Sequence, residues 1–429
     1  MAGTVHIVGA GLSGLSAAVE LASAGRAVAV YEAAKFAGGR CRTYYDSVID
    51  LEIDNGNHLL LSGNRAALSY LRRIGGLSAM SEAAEAAFPF VDIRSGERWT
   101  LRPNDGRLPW WILDSRRRVP GTRAPDYLAP IGILRAPAAA TVGEVMACRG
   151  PLYERLWHPV LLAALNTEPA EADARLAAQV LRETLAAGGQ ACRPMVATGG
   201  LSAAFIDPAL AYLSARGAAL SFSRSLREIA FAGERAAALV FGGDSMAIGP
   251  EDSVVLAVPP VAARALIPGL VVPETFHAIV NAHFRVAPPP GQPLILGIVN
   301  GLTEWLFAYS DRLSTTISCA DRLMEAPREE LAGTIWREVA ELTGLAPEMP
   351  RWQIVRERRA TFAATPAEAA RRPGSRTRYE NLVLAGDWTD TRLPATIEGS
   401  IRSGQNAAAN VLDVPAGTRA PQWTAGRAA

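Results

Sequence analysis

Gly9, Gly11 and Gly14 hold the fixed positions of a G-x-G-x-x-G run, with Ala10, Leu12 and Ser13 between them; Glu32 follows 18 residues after Gly14. This spacing suits a nucleotide pyrophosphate. The first glycine permits a tight turn, the second lets the backbone approach the phosphates, and the third lets helix and strand pack closely. The phosphate then meets the positive end of a helix dipole. Glu32, with Ala33 beside it, falls where an acid accepts hydrogen bonds from ribose hydroxyls. Six residues after Glu32, Gly38-Gly39-Arg40 offers a loop that passes close to a ligand and a fork of donors for a phosphate. An NAD-only site does not need that element, so it turns the expected cofactor towards FAD.

Two further groups could face a flavin ring. Asp54-Asn55-Gly56-Asn57-His58 is a polar pentad at the end of a strand-like segment. His58 reads equally as a structural histidine or as a flavin or substrate contact. Gly386-Asp387 ends an apolar segment, and Asp387 can accept from a ribityl hydroxyl. Ala395-Thr396-Ile397 opens a helix whose N-terminus would place positive dipole by the flavin N1/O2 edge. Leu226 is a further expected cofactor contact.

The fingerprint carries weight only in context, and the context is present. Val5–Val8 is a short apolar strand, and Leu12, Leu15, Val19 and Ala22 recur at helical spacing. Residues 27–31 form a second strand that stops at Glu32. Helical patterns and Pro-rich loops fill 68–191. Helix is expected over 203–216, 328–343 and 396–411, and strand over 220–229, 237–241, 254–258, 276–286, 294–299 and 381–385. The fold class is therefore α/β: a Rossmann-like domain with an inserted mixed-sheet and helical domain. The cofactor domain is expected in three pieces, 1–70, 195–265 and 378–412. The second domain takes 71–194 and 266–377, and 413–429 is a loose tail.

The chain of 429 residues carries a net charge of +1, which argues against a nucleic-acid surface. Arg116-Arg117-Arg118 reads as a solvated loop more readily than as a membrane-phosphate contact. Lys35 is the one lysine. Cys41, Cys148, Cys192 and Cys319 form no CxxC pair, so free thiols in a reducing compartment and no metal are expected. Met1–Val8 does not read as a signal peptide, and no apolar run is long enough to span a bilayer.

These residues together resemble the amine oxidase and phytoene desaturase flavoprotein superfamily. Within it they resemble the squalene-associated, FAD-dependent hydroxysqualene dehydroxylases of hopanoid biosynthesis. The resemblance runs through Gly38–Arg42, Ile53–Leu60, Leu162–Pro169, Gly386–Thr391 and Pro394–Gly404, and covers nearly the whole chain. Arg392-Leu393 stands where that family more often has Gly-Trp, and Asn57 where it has Gln. The resemblance implies non-covalent FAD and a C30 isoprenoid substrate. Hydride from reduced flavin N5 would reach an allylic carbon of hydroxysqualene, and the hydroxyl would leave as water to give squalene. An acid should protonate that leaving group, and Asp54, His58, Glu52 and Glu168 are the candidates. Trp110, Trp111, Trp157, Trp305 and Phe307 could line a hydrocarbon tunnel or simply form core.

Three other activities fit parts of this pattern. A flavin amine oxidase commonly uses a lysine near flavin N5, and Lys35 lies in the ribose-side loop instead. A carotenoid-type desaturase would share the fold but oxidise. A flavin-free lipid-binding escort protein would not need the intact glycine and acid set. The nearly insoluble substrate implies a cytoplasmic protein held peripherally on the inner membrane face. The electron donor for FAD leaves no recognisable motif.

Overall fold

The computed structural model describes residues 3–413; the expected tail lies almost wholly outside them. Five parallel strands form the first sheet, in the order Ala219–Ser221, Val28–Tyr31, Val5–Val8, Ser253–Leu256, Leu382–Leu384. Val5 pairs with Val28 on one side and Ser253 on the other. Strand alternation separates its two faces. Ile7, Val30, Val255 and Val383 pack under helices Leu12–Ser23 and Ile397–Leu412, whereas Val8, Tyr31, Val254 and Leu384 face the other way. An antiparallel ribbon, Leu226–Ala232, Arg235–Phe241 and Asp244–Ala247, covers that second face with Ile229, Ala236, Leu239 and Phe241.

The second sheet has seven strands, ordered Trp352–Phe362, Phe276–Phe284, Leu313–Ile317, Trp305–Ala308, Ile295–Val299, Phe88–Asp92, Arg98–Leu101. It is mixed, because Ile295–Val299 runs parallel to Phe88–Asp92 while its other ladders are antiparallel. Helix Arg328–Thr343 covers one face through Ala278, Val280, Phe284, Leu306 and Leu313. The opposite face, called the inner face below, carries Trp305, Phe307, Tyr309 and Phe90. These residues share a core cluster with Trp111, Trp157, Leu161 and Leu165 of the helical insert.

Two sequence expectations change in detail. The expected strand 220–229 is two strands, broken where Ser223 takes a left-handed φ of 56°. The first belongs to the parallel sheet and the second to the ribbon, so the chain must turn between layers. The expected helix 203–216 begins as a π-turn over Ser202–Ile206 and becomes α-helical at Asp207–Ser214. Pro208 has no N–H to donate to the preceding turn, which accounts for the widened ladder.

Helices Leu12–Ser23 and Ile397–Leu412 touch at Gly404. A Cβ there would lie 2.3 Å from Ser13 O and 2.8 Å from Ala17 N. Gly404→Val must force the helices apart and is expected to cost roughly 1–3 kcal/mol or more. Thermal melting of the variant checks this, and an unchanged Tm would contradict the close approach.

Candidate active site

The first glycine turn is built by excluded side chains. Gly9 has φ +105°, and a Cβ there would lie 2.3 Å from Ala257 O. A Cβ on Gly14 would fall 1.9 Å from Gly9 O. Gly11, the N-cap of helix Leu12–Ser23, makes no side-chain cap, and its Cβ position opens into free space. The exposed N-terminal amides of that helix therefore face room for an anion. Leu12 and Ser13 are buried beneath the turn.

Glu32 lies just past strand Val28–Tyr31. Its Oε2 accepts the Ala10 N–H at 2.8 Å and its Oε1 the Ala34 N–H at 2.8 Å. The carboxylate thus pins the glycine turn and keeps free lone pairs for hydroxyls. Ala33 is exposed between these contacts. The chain leading to Leu226 runs alongside, since the Arg224 N–H donates to Glu32 O at 2.8 Å. Leu226 itself is half-buried at the start of the ribbon.

Gly38 and Gly39 take φ +108° and +58°, which L side chains rarely adopt. The Gly38 N–H donates to Ala10 O at 2.9 Å, so this turn stacks against the first one. Arg40 then reaches across the molecule. Its guanidinium donates to Asp387 Oδ2 at 2.7 Å and to the Ala360 carbonyl, while 45% of the side chain stays open. Asp387 is buried, and its charge raises the pKa of Arg40. Asp387 is therefore an inward anchor of the site.

A residue that the sequence reading missed holds the Gly386-Asp387 turn. Arg372 is buried and donates to the carbonyls of Asp387 at 3.1 Å and Thr389 at 2.5 Å, and to Thr391 Oγ1 at 3.2 Å. Burial lowers its pKa to about 10, so it stays charged at neutral pH. No motif flags it, because its carbonyl partners are backbone groups far along the chain. Gly386 is fixed from two sides. Its N–H donates to Ser403 Oγ at 2.9 Å, and a Cβ would strike the Trp388 ring at 2.2 Å. Beyond it, Thr396 caps helix Ile397–Leu412 by accepting the Gly399 N–H at 3.0 Å. Ala395 and Ile397 flank that cap against the two core clusters. Glu398 faces away, accepting the N–H groups of Ala66 and Ala67 at 3.0 and 2.8 Å.

The polar pentad lies against the inner face of the second sheet. Asn57 Nδ2 donates to Thr315 O at 3.2 Å and Thr316 Oγ1 at 3.1 Å, and its Oδ1 accepts from Tyr309 OH at 3.4 Å. Asn281 Oδ1 accepts the Asn57 N–H at 3.3 Å, and Gly56 leaves room for the Asn281 amide. Asn55 Nδ2 donates to Glu357 at 3.4 Å. Burial first, and then the positive Arg40, push His58 down to about 4. It is a neutral imidazole at pH 7, with one donor and one acceptor.

Asp54 is buried and accepts Thr43 Oγ1 at 2.6 Å and the Leu201 N–H at 2.9 Å, both on Oδ1. Burial raises its pKa against those two hydrogen bonds. Glu52 is exposed on strand Leu51–Asp54. Glu168 hydrogen-bonds to His158 at 3.2 Å, which lowers its pKa, so it stays ionised. A different carboxyl is held near its neutral form. Burial raises Glu304 to about 7, although the Ser318 N–H donates to its Oε2 at 2.9 Å. It directly precedes strand Trp305–Ala308.

Trp111, Trp157, Trp305 and Phe307 are buried together, whereas Trp110 is 56% exposed. Lys35 is exposed in the loop after Glu32. The four cysteines are free thiols. No helix among the described residues is long and apolar enough to cross a membrane. Near the start of strand Phe276–Phe284, ligand atoms of His277, Cys319 and Asp321 lie within 4.8 Å of one another, with His277 Nδ1 bonded to Asp321 at 2.8 Å.

A family described as flavin containing amine oxidoreductase matches residues 12–412. The hydroxysqualene dehydroxylase of Rhodopseudomonas palustris is 55% identical over 96% of this chain and 99% of its own length. That of Sinorhizobium fredii is 56% identical over 94% and 97%. The chain belongs to the hydroxysqualene dehydroxylase family of flavin-containing amine oxidoreductases. Among solved structures, cyclohexylamine oxidase from Brevibacterium oxydans superposes with a TM-score of 0.70 at 17% identity, covering 96% of this chain and 99% of that one. That likeness speaks for the fold. A flavin fits the site, because glycines leave the cradle open at Gly11 and Arg40 remains half-open above Asp387.

Arg372→Met should release three oxygen acceptors and loosen the Gly386 turn. Flavin affinity is expected to fall at least about tenfold with a lower Tm, read from the flavin-to-protein absorbance ratio after dialysis. Glu304 gives a pH signature. Below its ordinary 4.5 both folded and unfolded chains carry the proton; between 4.5 and about 7 only the unfolded chain releases it. The folded state therefore loses stability as pH rises through that window, by roughly 3 kcal/mol at full ionisation. Glu304→Gln should raise Tm at pH 8 relative to the parent and change it little at pH 5, as calorimetry at the two pH values would record.

Proposed function

We propose that this protein is a hydroxysqualene dehydroxylase that binds FAD non-covalently and reduces hydroxysqualene to squalene. Identity above one half with two hydroxysqualene dehydroxylases, over nearly the full length of each, is the observation that carries this reading. Residues 1–70, 195–265 and 378–412 would hold the cofactor, and 71–194 with 266–377 the substrate. Their support is the membership of the parallel sheet in the first set and of the seven-stranded sheet in the second.

The reduced flavin, when bound, supplies the hydride. The carbon–oxygen bond breaks, the hydroxyl takes one proton and leaves as water, and the hydride takes its place on carbon. This chain's residues bind, orient and protonate. The amides at Gly11–Gly14 and the Arg40 guanidinium would hold phosphate, and Glu32 would hold ribose hydroxyls. Asp387, itself fixed by Arg40, would accept from the ribityl chain. Asn57 and neutral His58 would face the ring as hydrogen-bonding groups without net charge. Trp157, Trp305 and Phe307 would present a buried aromatic wall, which suits a developing allylic cation. Two carboxyls are pushed towards the protonated form that the leaving group needs, Asp54 at the head of the pentad and Glu304 before the inner-face strand. The protein would meet its substrate at the inner face of the cytoplasmic membrane, as a peripheral protein.

Anaerobic incubation of the holoenzyme, chemically reduced, with hydroxysqualene should yield squalene by mass spectrometry and reoxidise the flavin. A reducible bound flavin without squalene would sink the dehydroxylase reading and point to a desaturase acting on another isoprenoid. Asp54→Asn and Glu304→Gln then separate the acids. The true donor loses on the order of a hundredfold or more in kcat while keeping its flavin.

A further inference from the structure

Leu108 and Leu113, 80% and 74% exposed, are the most open large apolar side chains among the described residues. Trp110, Leu128 and Ile131 join them at 56%, 57% and 41%, so five such side chains fall within one short stretch. The backbone beneath them is fixed. The 3-10 turns Trp110–Leu113 and Ala124–Leu128 pack together, with Trp111 edge-on to Tyr127 at 5.1 Å. The Val119 N–H donates to Tyr127 OH at 2.8 Å, and Asn104 Nδ2 donates to the carbonyls of Gly106 and Leu108, each at 3.0 Å. Trp111, Val119 and Ile133 point inward, into the cluster that holds Trp157, Trp305 and Phe307. The outer apolar side chains thus belong to a segment whose inner side chains join the same core cluster as the aromatic wall.

Charge distinguishes this surface from the rest of the molecule. Residues 102–135 contain seven arginines, three aspartates and no glutamate, a net of +4 in a chain of +1. Arg116 is 88% exposed and pairs only with neighbouring Asp114, while Arg117 lies over the Trp110 ring at 5.0 Å. Protruding leucines, an amphipathic tryptophan and arginines around them match the layers of a bilayer surface, where apolar side chains enter the acyl boundary and guanidinium groups meet phosphate. A second copy of the chain would instead set arginine against arginine.

We propose that residues 107–131 form the surface by which this protein docks on an anionic lipid bilayer, on the outer side of the segment whose inner side chains join the aromatic cluster. The assignment rests on the reading that the substrate is a C30 isoprenoid, because it explains how so insoluble a molecule reaches a buried site. It also revises the sequence-based reading of Arg116-Arg117-Arg118 as a solvated loop.

Flotation of the full-length holoenzyme with vesicles of phosphatidylcholine, alone or with about one-third phosphatidylglycerol, tests the surface. The parent should float with the anionic vesicles, and salt should weaken that binding. Leu108→Glu/Leu113→Glu and Arg116→Glu/Arg123→Glu should each lower partitioning about tenfold or more. Flavin content, Tm and turnover of detergent-dispersed hydroxysqualene should stay at parent values, while turnover of vesicle-embedded substrate falls with binding. Variants that float like the parent would overturn the assignment. So would a parent that never floats, or light scattering in which the variants change only a dimer. A parent that floats but never turns over detergent-dispersed substrate would overturn the activity and leave the docking surface standing.

Discussion

The molecule is organised around one ion pair. Arg40 and Asp387 lie 347 residues apart in sequence, yet they meet at 2.7 Å with the aspartate buried. Removing Arg40 would leave the buried Asp387 carboxylate uncompensated, which costs several kcal/mol in a buried setting. The pair therefore fixes the first glycine turns relative to the last strand and helix. Arg40 also donates to Ala360 O, so the longest strand of the second sheet is drawn to the same point. Arg372 closes the arrangement from the far side of the Gly386 turn. Three segments that approach by chain topology alone become one cradle because their charges and carbonyls are shared.

Around that pair the two sheets divide the remaining work by face. The parallel sheet buries both faces, under helices and under the antiparallel ribbon, and so presents only its strand ends to a ligand. The seven-stranded sheet buries one face under helix Arg328–Thr343 and turns the other towards the pentad and the helical insert. On that inner face polar and aromatic groups separate. Asn281, Ser314 and Thr316 gather near Asn57 and His283, whereas Trp305 and Phe307 join the apolar cluster. The result is a polar region beside the pentad and an apolar, aromatic one beside the helical insert.

Titration follows the same division. His58 is neutral because it is buried beside a guanidinium, and Glu304 keeps its proton to about 7 because burial outweighs the Ser318 hydrogen bonds and the charge of Arg322. Glu168 faces a histidine and keeps its charge. Carboxyls of similar sequence context thus acquire opposite protonation through their surroundings.

Much was legible in the sequence because it is local. Gly9, Gly11, Gly14 and Glu32 act within one strand–turn–helix–strand unit, whose spacing is set by backbone geometry. Helix Arg328–Thr343 and strand Val5–Val8 follow from apolar periodicity and sit where that periodicity places them. What only the tertiary structure decided is every property that depends on a distant partner. Arg372 matters because carbonyls of a remote turn converge on it, and Glu304 because its neighbours bury it. Asp54 and Glu52, two residues apart, differ because the fold covers one and leaves the other in water. Local spacing specifies which backbone conformations are possible; burial and long-range contact specify which side chains are charged, neutral or free to act.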